Sequence, residues 1–131
     1  MSKIYTSAVV IIPPANIWDP IQEIRKIYDR QIDRWMPHIN LMYPFRPKNQ
    51  FITLKKKFLE MCIHINSFEV TLKNFKYFKH RNNNFTIWLN PIPNHLIIHL
   101  QSVILKILPD CNDVNKHKNG FQPHLSVGQI Q

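Results

Sequence analysis

Hydrophobic and polar positions follow two different periods along the chain. Alternation, or a short apolar run, predicts a β-strand, and apolar residues three or four apart predict a helix. Strands are predicted at Ile4–Ile12, Pro37–Phe45, Phe68–Phe78, Phe85–Leu89 and Phe121–Ile130. Helices are predicted from Asp19 to Trp35, from about Asn49 to Ile63 and from Asn94 to about Leu108. The order β-α-β-α-β-β-α-β indicates an α+β or mixed α/β fold, and we expect one domain over residues 1–131.

The first helix carries the clearest start signal. Asp19 precedes a proline, and Gln22 follows three residues later, which is the arrangement of a capping box. The apolar face of this helix consists of Ile17, Ile21, Ile24, Tyr28 and Trp35. Arg25, Asp29 and Asp33 lie off that face, and Arg25 and Asp29 are four apart, so they are expected to pair.

Charge and composition narrow the class of protein. The 131 residues include 17 Lys and Arg against 8 Asp and Glu, which gives a formal net charge of +9 and favours a polyanionic partner or substrate. With only two cysteines a disulfide scaffold is excluded, and a reducing compartment is expected. No apolar run approaches the length of a membrane span. We therefore expect an intracellular protein, cytoplasmic or nuclear, that does not bind membranes.

Two segments of the chain resemble each other. Pro37-His38-Ile39-Asn40-Leu41 and Pro123-His124-Leu125-Ser126-Val127 both read Pro-His-aliphatic-small polar-aliphatic. Each is predicted to form a strand, in which alternate side chains share a face. Each strand would then present an imidazole and a short hydrogen-bonding side chain together, while the aliphatic residue between them packs into the core.

Two such strands side by side would suit the opening of a cyclic phosphodiester. A neutral histidine accepts a proton from the attacking water, and a protonated one donates a proton to the departing sugar oxygen. Imidazole suits both tasks because its pKa lies near neutrality. Asn40 and Ser126 could hydrogen-bond the non-bridging phosphate oxygens. This arrangement requires no metal and no cofactor.

At these residues the sequence resembles the two-histidine (2H) phosphoesterase superfamily, also called 2′-5′ RNA ligase-like. The similarity is greatest to a eukaryotic branch that includes the C-terminal domain of leukocyte receptor cluster member 9. It runs from the stretch between Val10 and the first motif to the segment Phe121–Gln129. The resemblance implies a two-lobed, pseudo-symmetric α+β fold with antiparallel sheets flanked by helices.

The resemblance also implies an activity. Members hydrolyse phosphodiesters, typically 2′,3′-cyclic phosphates, so the expected partners are RNA 3′ ends or cyclic nucleotides, bound by a monomer. By motif position His38 would be the proton donor and His124 the proton acceptor, and Asn40 and Ser126 would bind the phosphate. In the reverse direction the two histidines exchange roles.

Two departures from the family pattern leave alternatives open. Asn40 stands where the superfamily usually has Thr or Ser, and the sequence stops soon after Ser126, where the family usually adds a helix and a strand. One alternative is therefore a catalytically degenerate module that binds RNA or nucleotides. Another is a structural fragment of a longer protein.

Other residues give weaker indications. Tyr43, Phe45 and Arg46 follow the first motif and are candidates for the mouth of the site, although core packing competes for the two aromatic residues. His95 and His99 are four apart on the third predicted helix, but no third metal ligand accompanies them, so a helix surface is the better interpretation.

The predicted strand Phe68–Phe78 and the turn after it are basic. Lysines alternate there with Phe75, Tyr77 and Phe78, and no acidic residue occurs between Glu69 and Asp110. Basic and aromatic residues together could hold single-stranded RNA. Aromatic residues in the core with lysines in solvent is an equally good interpretation of the sequence.

Overall fold

A computed structural model, which describes residues 2–131, contains three α-helices and five strands. The helices are α1 (Trp18–Tyr28), α2 (Phe51–Cys62) and α3 (His95–Leu105). Within the described residues, none of these helices is long and apolar enough to cross a membrane. The strands are β1 (Val9–Ile11), β2 (Ile39–Met42), β3 (Thr71–Lys79), β4 (Phe85–Ile92) and β5 (Leu125–Ile130). They form one antiparallel sheet in the order β1-β2-β5-β4-β3, which confirms the α+β class.

Helix α1 departs from its sequence prediction at both ends. It begins at Trp18 without a side-chain cap, so Asp19 lies inside the first turn and the predicted capping box is wrong. The helix ends at Tyr28 because the Asp29 side chain bonds the backbone that leaves it: Oδ1 accepts from Gln31 N at 2.9 Å. Asp29 thus competes with continued helix, as short polar side chains often do.

Strand lengths also differ from expectation. Strand β1 is three residues long, and Ile4, predicted to lie in it, forms an isolated bridge with Phe45. Strand β4 is longer than predicted and continues through Pro91 to Ile92, which pairs with Thr71. The extension includes Asn90, which pairs with Asn74 on β3.

The chain divides into two compact units. Of the described residues, the first contains 2–10, 40–70 and 93–123. In it α2 packs against α3 around a core that includes Leu54, Ile97 and Ile104. Two ion pairs tie its loops together: Lys3 Nζ to Asp113 Oδ1 at 2.7 Å, and Arg46 Nη2 to Asp110 Oδ1 at 2.8 Å.

The second unit contains residues 11–39, 71–92 and 124–131. Its centre is β5, which pairs with β4 and with the start of β2 and is covered by α1. The buried apolar residues of this unit are Ile21, Ile39, Trp88, Leu89, Leu125 and Val127. Gly128 permits the close approach of α1, because a Cβ built at Gly128 would lie 2.4 Å from the Cβ of Tyr28.

Substituting Gly128→Ala should therefore push the end of α1 away from β5. Overpacking of this kind costs about 1–3 kcal/mol of folding free energy. Urea denaturation measures the change, with Ile130→Ala, an exposed position on the same strand, as the control. Equal stability of the Gly128→Ala variant and the wild type would contradict the close packing of helix on strand.

Candidate active site

The pairing of β2 with β5 places the two predicted histidines on one face of the sheet. Ile39 lies opposite Leu125 in antiparallel register, and both are buried, with exposed fractions of 3% and 0%. Continued by one residue, this register sets His38 across from Ser126 on the opposite face. His38 and His124 each directly precede their strand, and the same register puts His124 on that face, diagonal to His38. Such diagonal neighbours are typically about 7–8 Å apart between Cα atoms.

The same face continues across the next two strands. Ser126 pairs with Trp88, and Trp88 pairs with Lys76, so one row crosses four strands: His38, Ser126, Trp88 and Lys76. The adjacent row contains His124, Asn90 and Asn74, because Leu89 pairs with Leu125 and Asn74 with Asn90. This face thus combines the buried Trp88 ring with polar side chains in both rows. It is the kind of surface that binds a polar ligand.

A hydrogen bond fixes the orientation of the His38 ring. Its Nδ1 lies 2.7 Å from the carbonyl oxygen of Met36, so Nδ1 donates and Nε2 carries the reactive lone pair or proton. The ring also contacts that of Trp35, with 5.7 Å between centroids. Burial lowers the pKa of His38, and the nearby Arg25 guanidinium adds to this, while the bond to Met36 opposes it. His38 is therefore predominantly neutral near pH 7.

A buried ion pair holds the loop that delivers His38. Arg25 Nε donates to Asp29 Oδ2 at 2.7 Å, and the two side chains are 2% and 4% exposed. Arg25 Nη2 also donates to the carbonyl oxygen of Trp35 at 2.8 Å, and Nη1 to Gln22 Oε1 at 2.9 Å. The pairing predicted from sequence is confirmed, but both residues are buried, whereas the helical pattern placed them away from the packed face.

Asp29 extends this network to strand β5. Its Oδ1 accepts from Gln129 Nε2 at 3.2 Å, and Gln129 Oε1 accepts in turn from Arg30 N at 3.0 Å. Burial alone would raise the pKa of Asp29, but the hydrogen bonds from Arg25, Gln31 and Gln129 lower it below its usual value. The loop before His38 is thus anchored to the strand that carries Ser126.

Two aromatic rings contact His124. Phe78 meets the imidazole edge-on, with 4.9 Å between centroids and 86° between planes, and Trp88 lies at 5.7 Å and 61°. Phe78 and Trp88 also contact each other at 4.8 Å. These contacts restrict the His124 ring, as a proton-transferring group requires.

Two buried polar atoms on this face have no hydrogen-bond partner within residues 2–131. They are Nε1 of Trp88 and Oδ1 of Asn90, which lie two residues apart on β4. An unsatisfied buried donor or acceptor costs about 1–3 kcal/mol, which makes each a candidate for bonding a ligand. The sequence analysis missed both, since their relation to His124 and Ser126 follows only from the register of β4 with β5.

A cavity of about 470 Å³ lies near the end of this face. Its lining includes Thr86, which lies on the same face of β4 as Trp88, together with Gln129, His80 and Arg30. His80 Nε2 is 2.8 Å from Thr86 Oγ1. The volume is within the usual range for small-ligand sites. The lining combines polar side chains and the Arg30 cation with the apolar Phe85 and Ile130.

The remaining predicted site residues belong to the first unit. Asn40 follows Ile39 on β2, and strand alternation gives it the same side of that strand as His38. Tyr43 donates from its hydroxyl to the carbonyl oxygen of Tyr5 at 2.9 Å. Phe45 is 3% exposed and packs against other phenylalanine rings, and Arg46 is 4% exposed. Core packing thus accounts for Phe45.

Metal-ligating residues do not cluster in the described part of the chain. Between residues 2 and 131, no group of three or more His, Cys, Asp or Glu side chains could hold a metal ion. His95 and His99 are both exposed on α3.

Known proteins resemble this chain over most of its length. A family described as the 2′-5′ RNA ligase superfamily matches residues 13–131, a range that contains both histidine motifs. The chain belongs to the 2′-5′ RNA ligase superfamily. It is also 27% identical over 122 residues to a Geobacillus kaustophilus (strain HTA426) protein named "Putative phosphoesterase". That alignment covers 92% of this chain and 67% of the relative.

Membership of the 2′-5′ RNA ligase superfamily supports an activity of the 2H phosphoesterase type. The match concerns the superfamily as a whole, and the eukaryotic branch suggested by the sequence stays a prediction.

Replacing Asp29 by Asn should destabilise this superfamily member strongly, because it leaves the buried Arg25 guanidinium without its counter-charge. Removing one partner of a buried pair costs about 3–5 kcal/mol. The pKa of Asp29 is lowered by folding, so its stabilisation is present above the unfolded-state pKa and is lost as pH falls through the folded-state pKa. The difference in unfolding free energy between wild type and Asp29→Asn should therefore be smaller at about pH 3 than at about pH 7.

Urea denaturation at the two pH values measures this difference. Asp33→Asn, which changes an exposed carboxylate in the same loop, is the matched control and should leave stability nearly unchanged. If Asp29→Asn were no more harmful than Asp33→Asn, the ion pair would not hold the loop.

Proposed function

We propose that the protein is a phosphodiesterase that opens 2′,3′-cyclic phosphates, at RNA 3′ ends or on small nucleotides, by general acid and base catalysis without a metal. The observation that supports the proposal is the antiparallel pairing of Ile39 with Leu125, the residues that directly follow His38 and His124. Continued outward, this register puts both histidines on one polar face with Ser126, diagonal to each other. Superfamily membership supports the same type of chemistry.

The proposed step transfers two protons. One imidazole accepts a proton from water as the water oxygen bonds to phosphorus. The bond from phosphorus to one ribose oxygen breaks, and the other imidazole donates its proton to that oxygen. Solvent then restores the two protonation states.

The structure of the free protein favours one assignment of these roles. His38 donates from Nδ1 to Met36, and its pKa is lowered chiefly by burial. A neutral imidazole held in this way presents an Nε2 lone pair. We therefore propose His38 as the acceptor in ring opening and His124 as the donor, which is the reverse of the order that the family resemblance implies.

Several groups are suited to bind the phosphate. The Ser126 hydroxyl and the Trp88 indole N–H lie in the same row as His38, and the exposed Lys76 ammonium extends that row. Such donors stabilise the negative charge that develops on non-bridging oxygens. We propose Asn40, from its place two residues after His38, as a further donor. The cavity beside Thr86 and Arg30 could hold a neighbouring sugar or base.

Changing either histidine to alanine should lower kcat/KM for a 2′,3′-cyclic nucleotide by roughly two to four orders of magnitude. A diester with nitrophenolate leaving groups, such as bis(p-nitrophenyl) phosphate, separates the roles because nitrophenolate leaves without protonation. His124→Ala should keep most of its activity on that diester, and His38→Ala should lose it.

Assays in EDTA with His95→Ala as the control complete the test, since His95 lies exposed on α3. Retention of diester activity by His38→Ala and its loss in His124→Ala would restore the family's order of roles. Equal background rates for wild type and both variants would refute catalysis. Salt-sensitive nucleotide binding without turnover would then favour the degenerate binding module.

The indole N–H of Trp88, which has no hydrogen-bond partner among residues 2–131, gives a second test. Trp88→Phe keeps a ring beside Phe78 and His124 but removes Nε1. A hydrogen bond to a charged group contributes about 1.5–3 kcal/mol, so kcat/KM should fall roughly 10- to 100-fold while thermal stability stays the same or rises.

Trp18→Phe is the matched control, because the Trp18 N–H already donates to the carbonyl oxygen of Pro13 at 2.7 Å. That variant should lose stability and keep its activity. Full activity in folded Trp88→Phe would remove Trp88 from the phosphate site.

A further inference from the structure

The sheet has a second unusual surface on the opposite side of β3. Phe75 and Tyr77 are 55% and 63% exposed, although aromatic side chains are usually buried. They point to the same side of the strand, away from Lys76 and Phe78, which share the face of the histidines. Burial in the core, one of the two interpretations open from sequence, is therefore wrong for these two rings.

Strand pairing and an aromatic contact hold the two rings in place. Strand β3 pairs with β4 throughout this region, with Phe75 opposite Leu89 and Tyr77 opposite Ile87. The Tyr77 ring meets that of Phe85 edge-on, with 5.6 Å between centroids and 74° between planes. Residues two apart on a strand are about 7 Å apart. The Phe75 and Tyr77 rings thus lie in line along β3, far enough apart for each to stack on a separate base.

Positive charge surrounds the two rings. Lys73 and Lys79 lie on either side of them along β3, and Arg81 follows in the turn. All three are exposed. No acidic residue occurs between Glu69 and Asp110 to neutralise them. The surface therefore complements a polyanion that also presents flat apolar faces.

This charge pattern disfavours a protein partner formed by a second copy of the chain. β3 is an edge of the sheet, but lysines on an edge strand oppose pairing with another strand. A symmetric contact would bring Lys73, Lys79 and Arg81 of both copies together. A nucleic acid strand has no such conflict, since its phosphates neutralise the cations while its unpaired bases stack on the rings.

We propose that the outer face of β3, centred on Phe75 and Tyr77, binds single-stranded RNA. This goes beyond the proposed function, because the surface lies on the opposite side of the sheet from the histidines. It would hold an RNA strand whether or not a phosphodiester is being hydrolysed.

Fluorescence anisotropy with a labelled 12-nucleotide unstructured RNA tests the proposal on the full chain. Stacking on one ring contributes about 1–3 kcal/mol, so Phe75→Ala and Tyr77→Ala should each weaken binding roughly 5- to 100-fold. Tyr77→Phe should bind like wild type, since stacking needs the ring alone. Lys79→Gln should reduce the slope of log K against log salt by roughly 0.7.

Ile52→Ala is the matched control. Ile52 is 88% exposed and lies among the lysines of helix α2, as Phe75 and Tyr77 lie among those of β3, but its side chain is aliphatic and cannot stack on a base. It should bind RNA like wild type. Unchanged affinity in folded Phe75→Ala/Tyr77→Ala would overturn the proposal, as would equal affinity for a duplex of the same length. So would a wild-type dimer in light scattering that dissociates in that variant.

The His38→Ala/His124→Ala variant separates this inference from the proposed function. If it binds the 12-nucleotide RNA normally but wild type turns over no cyclic nucleotide, the proposed function fails and the RNA surface stands. If turnover is normal in Phe75→Ala/Tyr77→Ala and RNA affinity is also unchanged, the RNA surface fails alone.

Discussion

The arrangement of the candidate site depends on the register between β2 and β5. Ile39 and Leu125 face each other and are almost completely buried, and each is flanked by a histidine and a small polar residue. A slip of one residue would turn every side chain of a strand to the other face. Such a slip would bury an imidazole and expose an aliphatic side chain, so the hydrophobic effect that forms the core also fixes the positions of the histidines.

Register alone does not orient the His38 ring, because His38 precedes the first residue of β2. The loop before it is held by Arg25, whose guanidinium bonds both Asp29 and the Trp35 carbonyl. A buried ion pair is seldom the most stable solution for a core. Here it has a geometric use, since its planar donors fix a loop that has no regular secondary structure, and Asp29 extends the network to Gln129 on β5.

The sequence allowed prediction of whatever depends on local pattern. The repeated Pro-His-aliphatic-small polar segments implied strands that present His38 with Asn40, and His124 with Ser126, on one side, because alternation is a property of the strand itself. Burial of Arg25 was missed, because the helical pattern alone predicts that a charged residue is solvated. It does not show that the loop after α1 supplies two acceptors, Asp29 and the Trp35 carbonyl, besides Gln22 within the helix. Asn90 was missed because only tertiary pairing of β4 with β5 brings it beside His124. Phe75 remained ambiguous, since exposure at the edge of a sheet depends on what covers it.

A polar sheet face carries a cost that helps to explain its composition. Trp88 Nε1 and Asn90 Oδ1 are buried without partners among residues 2–131, while the other side of the same strands is closed by Leu89, Leu125 and Ile39. A sequence selected for stability alone would replace both with apolar residues of similar shape, because an orphaned buried group gains nothing from folding. Their presence beside two histidines is understandable if a ligand supplies the missing acceptor for Trp88 and the missing donor for Asn90. The free protein is then less stable than its fold permits, and the ligand recovers the difference on binding.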